Sequence, residues 1–406
     1  MSRAGDQQAL IKALSAQLTE RDSAALISHL PRLEARLTHL RESFSSGVTH
    51  CVAVKSNPHP RLLALFVRLG FGLEAASIEE LRRALQAGCP PARLVFDSPV
   101  KTRLELAEVA PMAGLLVNVN CLEELERIPA DARCLIGIRV NPLTHTGSPE
   151  RFSVGQNESK FGVPISAREA LIEACLQHPV RALHMHSGSQ MRDLSAQRAA
   201  LFKLGELAHQ INERLKAARL DRRIELIDIG GGLPSEPLPL IEGSTSQMSR
   251  YGAMVHSVES LKAFQLVTEF GQWVNAEGGL ALSRVEYVIK GQPDKLFIHL
   301  GADMFTRDAY TEPRPFPLSL WSAEGLQRGG ELRAYDIAGP LCFAGDYIAR
   351  GAQLPRAQEG DLLCVDHSGA NCYALWSRHC SRALPAHWAW DGEALERWSP
   401  RREISY

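Results

Sequence analysis

The sequence has no run of apolar residues approaching the roughly 20 needed to cross a bilayer, and no CxxC pair. No Cys/His group has zinc-site spacing, and nine scattered cysteines, an odd number, make a disulfide framework improbable. There is little net charge: 45 Lys and Arg against 46 Asp and Glu leave −1, so nothing steers the chain toward nucleic acid or an anionic membrane surface. No internal repeat or low-complexity tract is present. The opening stretch, Met1–Gln17, reads as an amphipathic helix without the apolar core of a signal peptide, which leads us to expect a cytoplasmic protein. What remains is ordinary globular composition, 45% hydrophobic and 22% charged over 406 residues, enough chain for a large core and more than one domain.

Short apolar runs alternate with helical patterns from about residue 24 to 275. The strand candidates are Ala24–Ser28, Cys51–Lys55, Leu73–Ala76, Leu94–Phe96, Leu115–Val119, Leu135–Val140, Ala182–His186, Glu225–Ile229 and Leu266–Glu269. Amphipathic segments such as Ile78–Ala87 and Ala196–Ala217 lie between them. Strands apolar on both faces and separated by helices indicate a parallel sheet covered on both sides. Eight or nine such units in series favour a closed (β/α)8 barrel of the TIM type over 24–275. Beyond residue 276 the runs Val285–Lys290, Lys295–Leu300, Leu332–Ile337 and Asp361–Val365 are short and divided by Gly/Pro turns. They predict an antiparallel β domain over 276–406, with residues 1–23 packing on it. The polar stretch Ser235–Met254 predicts a mobile loop beside the site.

Several segments could carry chemistry. Lys55 ends an apolar strand, where a barrel delivers its catalytic residues; partial desolvation there would lower its pKa and make the amine nucleophilic. The position also fits a strand-end lysine reaching to solvent. Ile227-Asp228-Ile229 runs into Gly230-Gly231-Gly232, whose bare backbone N–H groups can approach a phosphate, or which simply form a tight turn. In His184-Met185-His186-Ser187-Gly188-Ser189, alternation is expected to send one histidine inward and the other outward. The inward ring could stack on a flat cofactor or be a hydrogen-bonded core histidine. Glu269 ends another strand, where a carboxylate can keep a ring nitrogen protonated or pair with a neighbouring base. Gly339–Asp346 could present the Cys342 thiol and the Asp346 carboxylate, or bury a cysteine in a turn.

Taken in order, these segments resemble the diaminopimelate/ornithine decarboxylase family of fold-type III enzymes, which use pyridoxal 5'-phosphate. The likeness runs from about residue 24 to 385. It includes Ala53-Val54-Lys55-Ser56-Asn57, Gly72-Leu73-Glu74-Ala75-Ala76-Ser77 with Glu80-Leu81, and Arg139-Val140-Asn141-Pro142. It continues through Ser159-Lys160-Phe161-Gly162, His186–Gln190, Asp228–Gly232, Glu269 with Gly271, Gly339–Asp346, and Asp366 with Gly369-Ala370. The resemblance implies a Schiff-base lysine at Lys55, ring stacking by His186, and phosphate contacts from Ser189 and Gly230–Gly232. It implies a ring-nitrogen partner at Glu269, further cofactor contacts from Glu74, Arg139, Gln272 and Tyr373, and a thiol at Cys342 that returns a proton to Cα. Phe343, Asp346, Asn371 and Arg307 become the candidate substrate contacts. A homodimer with shared active sites and a small amino-acid substrate are implied too.

The departures from the family pattern concern the far end of the substrate. The family's E-P-G-R is Glu269-Phe270-Gly271-Gln272 here, without the arginine. The acidic residue after the family's cysteine is Phe343, and G-A-Y is Gly369-Ala370-Asn371, with Tyr373 two residues on. Placing an ammonium against Phe343 rather than a carboxylate would forfeit a charge-assisted bond of roughly 1.5–3 kcal/mol. The sequence therefore leads us to expect a decarboxylase of a non-standard or conjugated diamino acid, as in siderophore assembly. Arg378, His379 and Arg382 could meet a carboxylate-rich substrate or form an ordinary solvated face. The alternatives are diaminopimelate decarboxylation and a regulatory homologue without catalysis. A racemase of the same fold usually pairs the ring nitrogen with Arg, so Glu269 speaks against it.

Overall fold

The structure is a computed structural model that describes residues 3–150, 153–156, 158–236, 245–311 and 314–404. The chain divides into two units, residues 37–273 and residues 1–36 with 274–406.

The first unit is a closed parallel barrel. Its strands are Thr49–Ala53, Gly72–Ala75, Leu94–Phe96, Leu116–Val119, Leu135–Asn141, Val180–His184, Leu226–Asp228 and Gln265–Thr268, with the pair Leu116–Val119 and Leu135–Asn141 completing the ring. Almost every strand residue is buried, as expected for a sheet enclosed by helices outside and packed side chains within. Several helices between strands start at side-chain caps that satisfy first-turn N–H groups. Ser77 accepts from the Glu80 amide at 3.2 Å, while the Glu80 carboxylate reaches back to the Ala76 amide at 2.9 Å. Thr102 and Glu105 form a full capping box. Within the helix Ile78–Gln86, Ile78, Leu81 and Ala84 recur at helical spacing and face the core.

The segment Ser235–Met254, expected to be a loop, contains a helix, Gln247–His256. Ser246 caps it, and the buried Glu236 carboxylate accepts from the Gln247 and Met248 amides at 2.7 and 3.2 Å. Residues 237–244 lie outside the described residues.

The second unit is built on a nine-stranded sheet. Its long strand Gly279–Ile289 pairs antiparallel with Ala24–His29, Asp294–Ile298 and Leu362–Val365. The sheet is mixed rather than wholly antiparallel, because Ala24–His29 runs parallel to Ala386–Trp390, and Asp294–Ile298 runs parallel to Arg333–Ala338. Ala24–His29, expected as the first barrel strand, thus belongs to this sheet. The helix Arg3–Ser15 buries Leu10, Ile11 and Leu14 in a cluster with Trp321, Trp388 and Trp390. Its Asp6 holds His29 Nε2 at 2.7 Å and Trp390 Nε1 at 2.8 Å. Among the described residues no helix is long and apolar enough to cross a membrane.

Candidate active site

Every strand of the barrel contributes a polar side chain at or near its C-terminal end. Lys55 sits in the single 3-10 turn Val54–Ser56 that continues Thr49–Ala53. Glu74 and Arg139 lie within their strands, and Asn118 lies within Leu116–Val119. Asp97 follows Leu94–Phe96 by one residue, His184 and Asp228 are last in theirs, and Glu269 follows Gln265–Thr268 by one. All except Lys55 are buried, and about half of the Lys55 side chain is exposed.

The electrostatics of this ring centre on Lys55. Its Nζ lies 2.5 Å from Glu74 Oε2. Burial pulls the ammonium down, but the charges of Glu74, Asp97 and Glu269 outweigh it and raise Lys55 above its ordinary value. The expected lowering of this pKa is therefore not met, because desolvation is countered by carboxylates. Glu74, in turn, is pushed well above the carboxylate range by burial and by the Asp97 charge, and the two carboxyls are hydrogen-bonded. Asp97 is held low despite its burial by Lys55, by that hydrogen bond, and by His184 and Arg139. Arg139 Nη1 stands 3.9 Å from Asp97, and its guanidinium lies 4.4 Å over the Phe161 ring.

On the other side of the ring, Glu269 Oε2 lies 3.6 Å from His184 Nε2, while Glu269 Oε1 is buried without a hydrogen-bond partner among the described residues. One side-chain nitrogen or oxygen from each of Asp97, His184 and Glu269 lies within 4.8 Å of the other two. The turn Glu269-Phe270-Gly271 packs tightly on the Lys55 segment: a Cβ on Gly271 would come 2.8 Å from Ala53 Cβ and 2.9 Å from Ser56.

Both histidines of the His184–Ser189 segment turn inward, against the expectation of one each way. Residues two apart share a face, and His184 and His186 both interact electrostatically with Glu269. Burial and then Arg139 depress His186 to about 3, so its ring is a neutral imidazole. His186 Nδ1 accepts from the Gly231 amide at 3.2 Å, and Asp228 Oδ1 accepts from the Gly230 amide at 3.0 Å. Two of the three expected phosphate-cradling amides are thus engaged by side chains. Only Gly232 keeps an amide without a partner among the described residues. Glycine is required at 231, where a Cβ would lie 2.4 Å from the Glu269 carbonyl oxygen. Ser189 is half-buried beside this turn's neighbour Gly188, and Gln272 begins the short helix Gln272–Asn275.

In the second unit, Cys342 is exposed. Phe343 stacks on Tyr310 with ring centroids 5.0 Å apart. The two carboxylate oxygens of Asp346, a candidate substrate contact, accept from the Ala302 and Leu341 amides at 2.6 and 2.7 Å. Asp346 thus clasps two loops. Asn371 adopts a left-handed conformation, φ 61°. Tyr373 lies edge-on to His387 at 5.5 Å, and Arg307 lies in the short helix Thr306–Tyr310. Arg382 bonds the His299 carbonyl at 3.3 Å and approaches Asp303 at 3.8 Å, so it is tied into the unit's own surface. The sequence reading missed Asp97 and Asn118; a polar residue at every strand end was the available signal.

The fold and the ring of charged side chains define a barrel enzyme built around a reactive lysine. Residues 30–275 match the family described as pyridoxal-dependent decarboxylase, pyridoxal binding domain. Over 363 residues the chain is 33% identical to a diaminopimelate decarboxylase of Pseudomonas aeruginosa, covering 86% of this chain and 83% of that one. It is 29% identical to one from Deinococcus radiodurans, covering 89% and 88%. The fold is shared with the diaminopimelate decarboxylase of Helicobacter pylori complexed with L-lysine, at TM-score 0.81 and 23% identity over 93% of this chain and 94% of that one. It is shared as well with an arginine decarboxylase of a Paramecium bursaria Chlorella virus, at TM-score 0.79 and 18% identity over 95% of this chain and 100% of that one. The chain belongs to the pyridoxal-dependent decarboxylases, and pyridoxal phosphate is its cofactor. The residues present fit that group: the half-exposed Lys55 side chain, with Glu74 beside it to take its proton, can meet the aldehyde, and Glu269 Oε1, without a partner among the described residues, suits a protonated ring nitrogen.

Proposed function

We propose that the chain removes the α-carboxylate of a diamino acid of the diaminopimelate type. The observation that carries this reading is the likeness along 86% of the chain to an enzyme of that name, extending through both units. When bound, pyridoxal phosphate supplies an electron-poor ring that accepts the electrons left at Cα as CO2 departs. In this reading Lys55 anchors the cofactor, and Glu74, the nearest carboxyl, receives the proton that the amine must shed. Glu269 accepts from the ring nitrogen. Neutral His186 lies against the ring face, with Arg139 in support. Ser189 and the Gly230–Gly232 turn meet the phosphate, together with Gln272 and Tyr373. Cys342 returns a proton to Cα, and Phe343, Asn371 and Arg307 border the substrate. Release of CO2 from meso-diaminopimelate is the direct test; a chain that carries cofactor but leaves this compound untouched contradicts the reading.

A second reading, a conjugated diamino acid whose distal amine is acylated, as in siderophore assembly, is favoured by one observation. Phe343, stacked on Tyr310, offers an apolar aromatic surface and no charge for a distal ammonium. Under this reading Phe343→Glu raises turnover of free diamino acids and lowers that of acylated ones. Under the first reading it changes neither by more than about threefold.

We infer a homodimer with shared sites from the exposure of Cys342 on its loop. Mixing Lys55→Ala and Cys342→Ala proteins, each inactive alone, should then restore activity. No recovery after exchange of subunits contradicts it.

A further inference from the structure

One side chain brackets the turn Ser159–Gly162. Asn120, one residue past the strand Leu116–Val119, donates from Nδ2 to the Lys160 carbonyl at 3.0 Å and accepts at Oδ1 from the Gly162 amide at 3.0 Å. These belong to the peptide groups just before and just after Phe161, so its backbone is fixed from both sides. Asn120 is itself anchored: its amide donates to Glu124 Oε2 at 2.8 Å, and Glu124 Oε1 accepts from the buried Lys101. Gly162 lies against the strand that carries Arg139. Its φ is 76°, and a Cβ there would come 2.9 Å from the Asn141 nitrogen and 3.1 Å from the Arg139 carbonyl oxygen, so only glycine fits. Val163–Pro164 then pairs in parallel with the same strand. This close docking brings the Phe161 ring to the Arg139 guanidinium, 4.4 Å from the ring centroid. We propose that Phe161, bracketed by Asn120, is the positioning residue that holds the Arg139 guanidinium at the cofactor site through the face of its ring.

Arg139 has need of such a partner. It is buried, and among the described residues its ion pair with Asp97 is 3.9 Å long, beyond hydrogen-bond reach. A long side chain with so loose an ionic contact keeps rotamer freedom that a ring face removes. The attraction between a cation and a ring face is stronger when the cation is withdrawn from water. Lys160 Nζ lies 5.0 Å from the same ring centroid, but Lys160 is exposed and water competes for its charge. Phe161 itself is only partly buried, so burial of apolar surface is a weak reason for an aromatic side chain there. Arg139 stands opposite His184 in the strand register and its charge reaches Asp97 and His186, so where the ring holds it matters to both sides of the site.

The consequence for cofactor affinity rests on the reading of Arg139 as a support for the cofactor, whereas the ring contact does not, so the two are tested apart. Phenylalanines carrying one, two and three ring fluorines are placed at position 161 of the full chain. Fluorine drains the ring face of negative potential and changes its shape little. Affinity for pyridoxal phosphate should fall stepwise along the series, by about fivefold or more at three fluorines, and stay flat along it in an Arg139→Met background. Unchanged affinity along the series overturns the positioning role. An equal fall in Arg139→Met, or a fall that Lys160→Met abolishes, overturns it too, because the ring would then act on another group. Asn120→Ala frees both peptides around Phe161 and should weaken cofactor binding as Phe161→Leu does; wild-type affinity in it overturns the bracket. Denaturant unfolding of Phe161→Leu, Arg139→Met and the double variant reads the contact without cofactor, and the two changes should be non-additive. Additive losses overturn the contact itself. Non-additive losses with wild-type affinity in Arg139→Met overturn the cofactor role alone and place the failure in the assignment of Arg139.

Discussion

Lys55 Nζ stands 2.5 Å from Glu74 Oε2, and Glu74 has no exposed surface. A lysine held this way is an ammonium at neutral pH and must lose a proton before it can attack an aldehyde. The rate of cofactor capture should therefore rise with pH throughout the neutral and mildly alkaline range. Glu74→Gln removes the largest of the raising charges. It should move that profile toward acid by about one pH unit or more, as stopped-flow mixing with pyridoxal phosphate would show. An unmoved profile would mean that Glu74 does not control the amine.

His50 bears on stability rather than chemistry. It is buried against Phe44 at 5.1 Å, bonds Thr268 Oγ1 at 2.8 Å, and is depressed to about 4 by burial and then by Arg41. A histidine with a lowered folded pKa contributes stability above its unfolded value near 6.5, and that contribution is lost as pH falls toward 4. Its share of the loss should be roughly 1 kcal/mol per pH unit across that window. His50→Gln should flatten the decline of thermal stability between pH 6.5 and 4, measured by calorimetry at several pH values. A decline as steep as in wild type removes His50 from the account.

Lys101 is fully buried, and its three hydrogen bonds go to the Ser98 and Asn118 carbonyls and to Glu124 at 2.8, 2.7 and 2.8 Å. It ties the loop after Asp97 to the next strand. Lys101→Met strands the Glu124 carboxylate and should cost about 3–5 kcal/mol in denaturant unfolding. Lys101→Met combined with Glu124→Gln should recover part of that. A single variant within about 1 kcal/mol of wild type contradicts the reading of a buried, fully engaged pair.

Gly231→Ala places a methyl where the Glu269 carbonyl oxygen lies 2.4 Å away. The strand end carrying Glu269 must shift, so cofactor should bind at least about tenfold more weakly, while a barrel of this size should keep its secondary structure by circular dichroism. Wild-type affinity in this variant would show that the Glu269 turn yields without consequence.

How legible all this was in the sequence follows from what each pattern records. The barrel strands were readable because both faces are buried, which leaves unbroken apolar runs such as Leu94–Phe96. Ala24–His29 has the same texture, yet its partners are Gly279–Ile289 and Ala386–Trp390, more than 250 residues away, and apolarity says nothing about which sheet a strand joins. Lys55 and Glu269 stood out as charges ending apolar runs. Asp97 did not, because Phe96-Asp97-Ser98-Pro99 also spells an ordinary turn. The raised pKa of Lys55 depends on three acids contributed by three other strands, a convergence visible only once the barrel closes. Asp346 also holds a structural part that its loop did not announce: the Ala302 and Leu341 amides each donate to one of its oxygens.

The central claim is tested most directly by reducing the cofactor-loaded protein with borohydride and mapping the labelled peptide by mass spectrometry. The account predicts a single pyridoxyl group on Lys55, and none in Lys55→Ala. A label on any other lysine, or a fully loaded protein that yields no labelled peptide, would contradict it.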